Sequence, residues 1–295
     1  MSIKLCSNFL NHVPLYLRVP AFALPYFSPR NLFSSMILNN ATEERKINVD
    51  GININYLKVG TGEHPILLLP GIMGTIWNDF GPQVKNLDRK KFTLIAWDPP
   101  GYGKSRPPER SFTDDYLQRD AITARNLMKL LGYTKFSLLG WSDGGNTSLL
   151  LASMFPENVR KMIGIAPHSY MTLEEVNIYK KLKNIDNWSE KMRTPILAVY
   201  GAEYFRKTCS DWVDMVERVY EKQNGDICRQ SLAKIKCPTL IVYGNKDAIV
   251  VPEHPVYLKE HIAGAKLEIF ENGGHSLHLR YPEKFNDLAT RFLTE

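Results

Sequence analysis

The chain reads as an α/β fold, a mostly parallel central sheet with helices on both faces and a helical cap inserted over it. Three observations predict this. Three short runs, "PILLLPG", "FTLIAWD" and "FSLLGWS", are largely apolar, as strands buried on both faces require, and "MIGIAP", "TLIVYG" and "KLEIFEN" complete the set of strands. Helix-patterned stretches alternate with them, the order that lays strands parallel. The interval 169–235 breaks the alternation and is too long for one crossover.

The elements follow in order. "INVDGININYLKVG" (47–60) sets Asp50-Gly51 between two alternating runs, and Asp-Gly supplies the positive φ angles of a tight hairpin turn. The runs at 65–71, 92–98 and 136–142 are the next strands. "FTDDYLQRDAITARNLMKLLG" (112–132) has helical apolar spacing and opens with acids, which favour a helix start. "GGNTSLLLASMF" (144–155) is the following helix, and 162–167, 239–244 and 266–272 complete the strands. "PEKFNDLATRFL" (282–293) closes the chain as a helix with Pro at its start. Residues 43–168 and 236–295 therefore form the core. The interval 169–235, with Trp188, Trp212 and several tyrosines, forms the cap.

A length of 295 residues suits one large domain. The formal charge of +6 is uneven, because residues 1–42 hold Lys4, Arg18 and Arg30 and no acid. Removing those three of 37 cations leaves 34 against 31 acids, so the charge is no argument for nucleic acid. The acid-free leader, broken by Pro14, Pro20 and Pro25, has the composition of a mitochondrial transit peptide and lacks the unbroken apolar centre of a secretory signal. A disordered tail on a cytoplasmic protein is the plainer alternative. No apolar run reaches the roughly 18 residues of a membrane span. Cys6, Cys209, Cys228 and Cys237 show no CxxC spacing, which points to free thiols and no zinc site. A monomer without metal or organic cofactor is expected.

The chemistry begins at Gly140-Trp141-Ser142-Asp143-Gly144. This is G-x-S-x-G between a strand and a helix, the setting of a nucleophile elbow. A serine hydroxyl needs a general base, and with this elbow the partners follow as acid, then His. "LIVYGNKDAIVVP" places Asp247 after one strand, and "LEIFENGGHSLHL" places His275 after the last. Both fall at strand C-terminal ends, where open α/β sheets build their sites. Ser142 attacks, His275 moves the proton and Asp247 orients the imidazole. Asp226 and Glu253 are possible acids, but neither directly follows a strand. His278, between two leucines, reads as packing, and His168 as a cap or core residue. "LLLPGIMG" supplies an oxyanion loop, with the N–H groups of Ile72 and Asp143 as donors. Asp98, in "DPPGYGKS", reads as a structural anchor.

"LLLPGIMG", "AWDPPGYGKSRPP", "LLGWSDGG" and "GGHSLHLR" resemble the α/β-hydrolase superfamily, and within it the biphenyl hydrolase-like serine hydrolases. The likeness runs from about residue 45 to the C-terminus and includes "YFRKTCSDWVD" in the cap. It implies a mitochondrial hydrolase of α-amino-acid esters with Ser142, Asp247 and His275 as its triad. Pro-Gly opens the oxyanion loop in place of the superfamily's usual His-Gly, which is compatible with this branch.

Asp143 is unexpected, because it sets a carboxylate beside a site that must stabilise negative charge. Like charges about 6 Å apart repel by roughly 3 kcal/mol at an effective dielectric near 20. A substrate ammonium would cancel that penalty, and an α-amino ester carries one close to its carbonyl. The plainer alternative is that Asp143 caps the helix after Ser142. The expected substrate is thus a small α-amino-acid ester. Alternatives are a C–C bond hydrolase of the meta-cleavage type, whose anionic substrates Asp143 disfavours, and a non-catalytic ligand-binding relative, which would not need all three triad members. Dehalogenase chemistry wants a carboxylate where Ser142 stands.

Overall fold

The computed structural model describes residues 43–295; the expected transit peptide lies outside them. Eight strands form one sheet in the order β1-β2-β4-β3-β5-β6-β7-β8. β1 (Arg45–Val49) and β2 (Ile52–Val59) make the Asp50-Gly51 hairpin, both turn residues having positive φ. β2 runs antiparallel to β4 (Phe92–Trp97). From β4 on, β3 (His64–Leu69), β5 (Phe136–Trp141), β6 (Val159–Ile165), β7 (Thr239–Gly244) and β8 (Lys266–Phe270) are all parallel. The mostly parallel sheet is as the apolar runs predict. All residues of β4 and β7 are buried, because helices cover both faces.

Those helices are α1 (Ile76–Asn86), α2 (Tyr116–Leu130), α3 (Asp143–Met154), α6 (Glu253–His261), the short α7 (Leu277–Arg280) and α8 (Pro282–Thr294). Two corrections arise. α1 and α6 are absent from the sequence reading: α1 carries Gly81 and Pro82, and both read as breakers. α2 starts at Tyr116, so Asp114 and Asp115 precede its first turn. Asp114 instead pairs with Arg218 at 2.6 Å.

Between β6 and β7 lie α4 (Leu173–Leu182) and α5 (Glu190–Gln223), with short 3-10 turns at Ile185–Asn187 and Arg229–Lys234. A capping box starts α4: Thr172 accepts from the Glu175 N–H, and Glu175 accepts from the Thr172 N–H. α5 is broken at Gly201, whose φ of 71° no helical residue adopts. Tyr179, Phe205, Trp212 and Val216 bury the inner faces of α4 and α5. Among the described residues no helix is long and apolar enough to cross a membrane, and Cys209, Cys228 and Cys237 are free and buried.

Candidate active site

β5 ends at Trp141 and α3 begins at Asp143, leaving Ser142 alone to make the turn. Its φ of 53° and ψ of −121° are strained for a residue with a side chain. The strain is held by packing. A Cβ on Gly144 would lie 2.0 Å from the Leu69 carbonyl oxygen, and one on Gly140 would lie 2.3 Å from that of Gly144. Only glycine lets strand and helix approach so closely. The Ser142 N–H donates to the Ile165 carbonyl at 2.9 Å, which pins the turn to β6.

Asp247 and His275 stand in the loops after β7 and β8. Asp247 Oδ1 accepts from the N–H groups of Ile249 (2.8 Å) and Val250 (3.1 Å). Its Oδ2 lies 2.8 Å from His275 Nδ1, and His275 Nε2 lies 3.1 Å from Ser142 Oγ. Three residues distant in the chain thus form one hydrogen-bonded line. With Asp247 on Nδ1, the proton of a neutral imidazole sits there, and Nε2 accepts from the serine hydroxyl. The Trp141 indole donates to the His275 carbonyl at 2.8 Å and steadies its loop.

The rival residues are placed elsewhere. Asp226 accepts from the Arg229 N–H, and Glu253 from the Tyr170 hydroxyl; neither reaches His275. His278 is fully buried and donates to the Asp79 carbonyl at 2.8 Å. Burial holds it neutral, its pKa pushed down to about 3, with the bond to the Asp79 carbonyl opposing the shift. His168 is buried against Asn146 and also faces the cavity. Asp98 anchors loops, accepting from the N–H groups of Ile76 and Lys104.

A cavity of about 490 Å³ lies over the serine. Ile72, Ser142, Asp143 and His275 face it from the core, and Tyr179 and Trp212 from the cap. The Ile72 N–H has no hydrogen-bond acceptor among the described residues. The Asp143 N–H is first in α3, so the helix offers it no acceptor.

The Asp143 side chain is 9% exposed, and its Oδ2 accepts from the Tyr116 hydroxyl at 2.9 Å. Oδ1 has no protein partner among the described residues. Burial raises its pKa to about 6; the Tyr116 donor and the Arg110 guanidinium oppose the rise. At neutral pH the group is therefore about nine-tenths ionised. Arg110 is held by both oxygens of Asp120, at 2.8 and 2.6 Å.

Tyr116 and Arg110 escaped the sequence reading, because nothing in the chain marks a tyrosine 27 residues away as a partner of Asp143. The pair of Glu175 with His254, 2.8 Å apart and fully buried, escaped it too. Glu175 Oε1 also accepts from the Val251 N–H at 3.3 Å, so the cap touches the end of the loop that carries Asp247. Among the described residues, no group of three or more His, Cys, Asp or Glu is placed to hold a metal ion.

The family model for the alpha/beta hydrolase fold matches residues 64–199. The chain is 46% identical over 253 residues to the mouse protein named serine hydrolase BPHL, covering 86% of this chain and 87% of that one. It is 42% identical over 274 residues to the human protein of the same name, covering 93% and 92%. Among solved structures, the 2-hydroxy-6-oxo-6-phenylhexa-2,4-dienoate hydrolase of a Rhodococcus species aligns with a TM-score of 0.72 at 18% identity, covering 86% of this chain and 99% of that one. That last likeness concerns the fold alone. Identity of this extent along nearly the whole described chain shows that the protein belongs to the α/β-hydrolase family and is one of its serine hydrolases.

Proposed function

We propose that the protein hydrolyses small α-amino-acid esters through an acyl-enzyme on Ser142. Asp143 takes the substrate ammonium on its free Oδ1, which places the ester carbonyl carbon against Ser142 Oγ. His275 Nε2 takes the hydroxyl proton as Oγ attacks. Asp247 holds the imidazole in its working tautomer and stabilises the imidazolium. The N–H groups of Ile72 and Asp143 receive the developing oxyanion. As the tetrahedral intermediate collapses, His275 returns the proton to the leaving alkoxide and the alcohol departs. A water, activated by the same imidazole, then attacks the acyl-enzyme and releases the amino acid.

The observation that carries this reading is the buried Asp143 carboxylate, which faces the same cavity as Ser142 with one oxygen fixed by Tyr116 and the other free. A neutral ester would gain nothing from that charge, and an anionic diketone acid would be repelled by it. A helix-capping role alone leaves the Tyr116 bond and the cavity exposure without purpose. The test is labelling with a fluorophosphonate, followed by turnover of an α-amino ester and its N-acetyl analogue. Labelling of the wild type but not of Ser142→Ala, with the free-amine ester strongly preferred, is expected. Labelling retained in Ser142→Ala, or equal turnover of both esters, would defeat the reading.

A further inference from the structure

The loop that bears the Ile72 N–H is gripped on both sides by buried polar side chains. On one side Asp79, in the first turn of α1, accepts from the Gly71 N–H with Oδ2 at 2.9 Å. On the other the Tyr200 hydroxyl, from the cap, donates to the Met73 carbonyl at 3.0 Å. Asp79 is 5% and Tyr200 7% exposed. Resting on the reading that Ile72 is an oxyanion donor, we infer that Asp79 and Tyr200 are positioning residues that clamp the Gly71–Met73 segment and so aim that N–H at the reacting carbonyl.

The loop needs such a clamp. Met73 has a φ of 53°, a left-handed conformation that costs a side-chain-bearing residue about 1–3 kcal/mol. A loop stored in that state relaxes unless its surroundings hold it. The Gly74 N–H closes the turn on the Gly71 carbonyl at 3.0 Å. A Cβ on Gly74 would lie 1.9 Å from Asp79 Oδ2, so the loop wraps directly around the carboxyl. Fixing the Gly71 N–H and the Met73 carbonyl leaves the peptide between them little freedom to rotate, and that peptide carries the Ile72 N–H.

Both jaws are themselves anchored. α1 is pinned at its start, where the Ile76 N–H donates to Asp98 at 3.0 Å and the Thr75 side chain accepts from Asn78. Tyr200 sits immediately before the break at Gly201 and stacks on Tyr204, their rings 5.6 Å apart and 20° from parallel. The Arg106 guanidinium lies over both rings, at 4.8 and 4.4 Å. The Tyr200 oxygen also accepts from the Gly103 N–H at 2.9 Å. The cap thus contributes half the clamp.

Asp79 is chemically suited to its place. Burial, with Asp98 adding, pushes its pKa up to about 8, so near neutral pH it is mainly an uncharged acid. With the proton on Oδ1, Oδ2 still accepts from Gly71, and no full negative charge opposes the oxyanion.

The experiment compares Tyr200→Phe, Asp79→Asn and Asp79→Ala in the full chain. It uses an α-amino-acid benzyl ester as substrate and the matching α-aminoboronic acid, which forms a tetrahedral adduct on Ser142. Tyr200→Phe and Asp79→Ala are expected to lose roughly ten- to hundredfold in kcat and, in parallel, in boronate affinity, with KM within about threefold. Asp79→Asn keeps an oxygen acceptor and is expected to stay within about threefold of wild type. A folded Tyr200→Phe with kcat and boronate affinity within about threefold of wild type would overturn the clamp, as would a loss carried by KM alone. If Asp79→Ala does not fold, Asp79→Asn decides that jaw: a large loss there counts against it. Should Ser142→Ala keep its activity, the underlying reading fails; should Ser142→Ala be inactive while Tyr200→Phe is normal, only the clamp fails.

Discussion

Replacing Asp143 with Asn tests the charge recognition most directly. The substitution keeps the shape, an oxygen acceptor for the Tyr116 hydroxyl and the backbone N–H, and removes only the charge. An ammonium about 4 Å from the carboxylate is attracted by about 4 kcal/mol at an effective dielectric of 20. Desolvation of both ions offsets part of this, leaving about 2–3 kcal/mol. The kcat/KM for an α-amino ester should therefore fall roughly thirty- to 150-fold. The N-acetyl ester should change little or gain, since a repulsive charge near its oxyanion has gone. Stability should move the other way. The folded pKa of Asp143 lies near 6 against an ordinary 3.8, so its ionisation opposes folding progressively as pH rises through that window. The penalty reaches about 3 kcal/mol at neutral pH and is absent below about pH 4. Asp143→Asn should thus be more stable than wild type at pH 7.5 and lose that advantage at pH 4. The assays are steady-state kinetics with the paired esters and urea unfolding at the two pH values. Equal kinetic losses for the two esters would refute the recognition argument.

Further outcomes follow from the same geometry. In the wild type, the ratio of kcat/KM for the free-amine ester to that for its N-acetyl analogue should decline as pH falls through about 6, because Asp143 takes up a proton. Asp247→Asn should lower kcat by about 10⁴ with little change in KM, since the Ile249 and Val250 N–H bonds survive but the imidazole loses its proton acceptor. The two C-terminal histidines should separate cleanly. His275→Gln removes activity with little loss of stability, whereas His278→Leu removes a buried hydrogen bond to the Asp79 carbonyl and costs about 1 kcal/mol in urea unfolding. Gly144→Ala should fail to accumulate as folded protein, because its methyl group would overlap the Leu69 and Pro70 carbonyls, which cannot swing aside as a flexible side chain would.

The sequence by itself determined the sheet and pointed to the three side chains that meet in one hydrogen-bonded line, Ser142, His275 and Asp247. Apolar runs marked β3 to β7 because strands covered on both faces tolerate few polar residues, and β4 and β7 are buried throughout. Gly140 and Gly144 marked the elbow because no other residue fits where strand and helix touch. Asp247 and His275 were legible from their places after β7 and β8, since parallel strands deliver their C-terminal loops to one edge. Helix α1 was not legible, because Gly81 and Pro82 lie inside it and packing overrides their propensity. Tertiary structure alone decided which groups support the site. Tyr116, Arg110, Asp79, Tyr200 and the Glu175–His254 pair meet their partners across gaps in sequence that carry no period or motif. Their roles come from burial and hydrogen-bond geometry, which exist only once the cap and the core have closed around the same cavity.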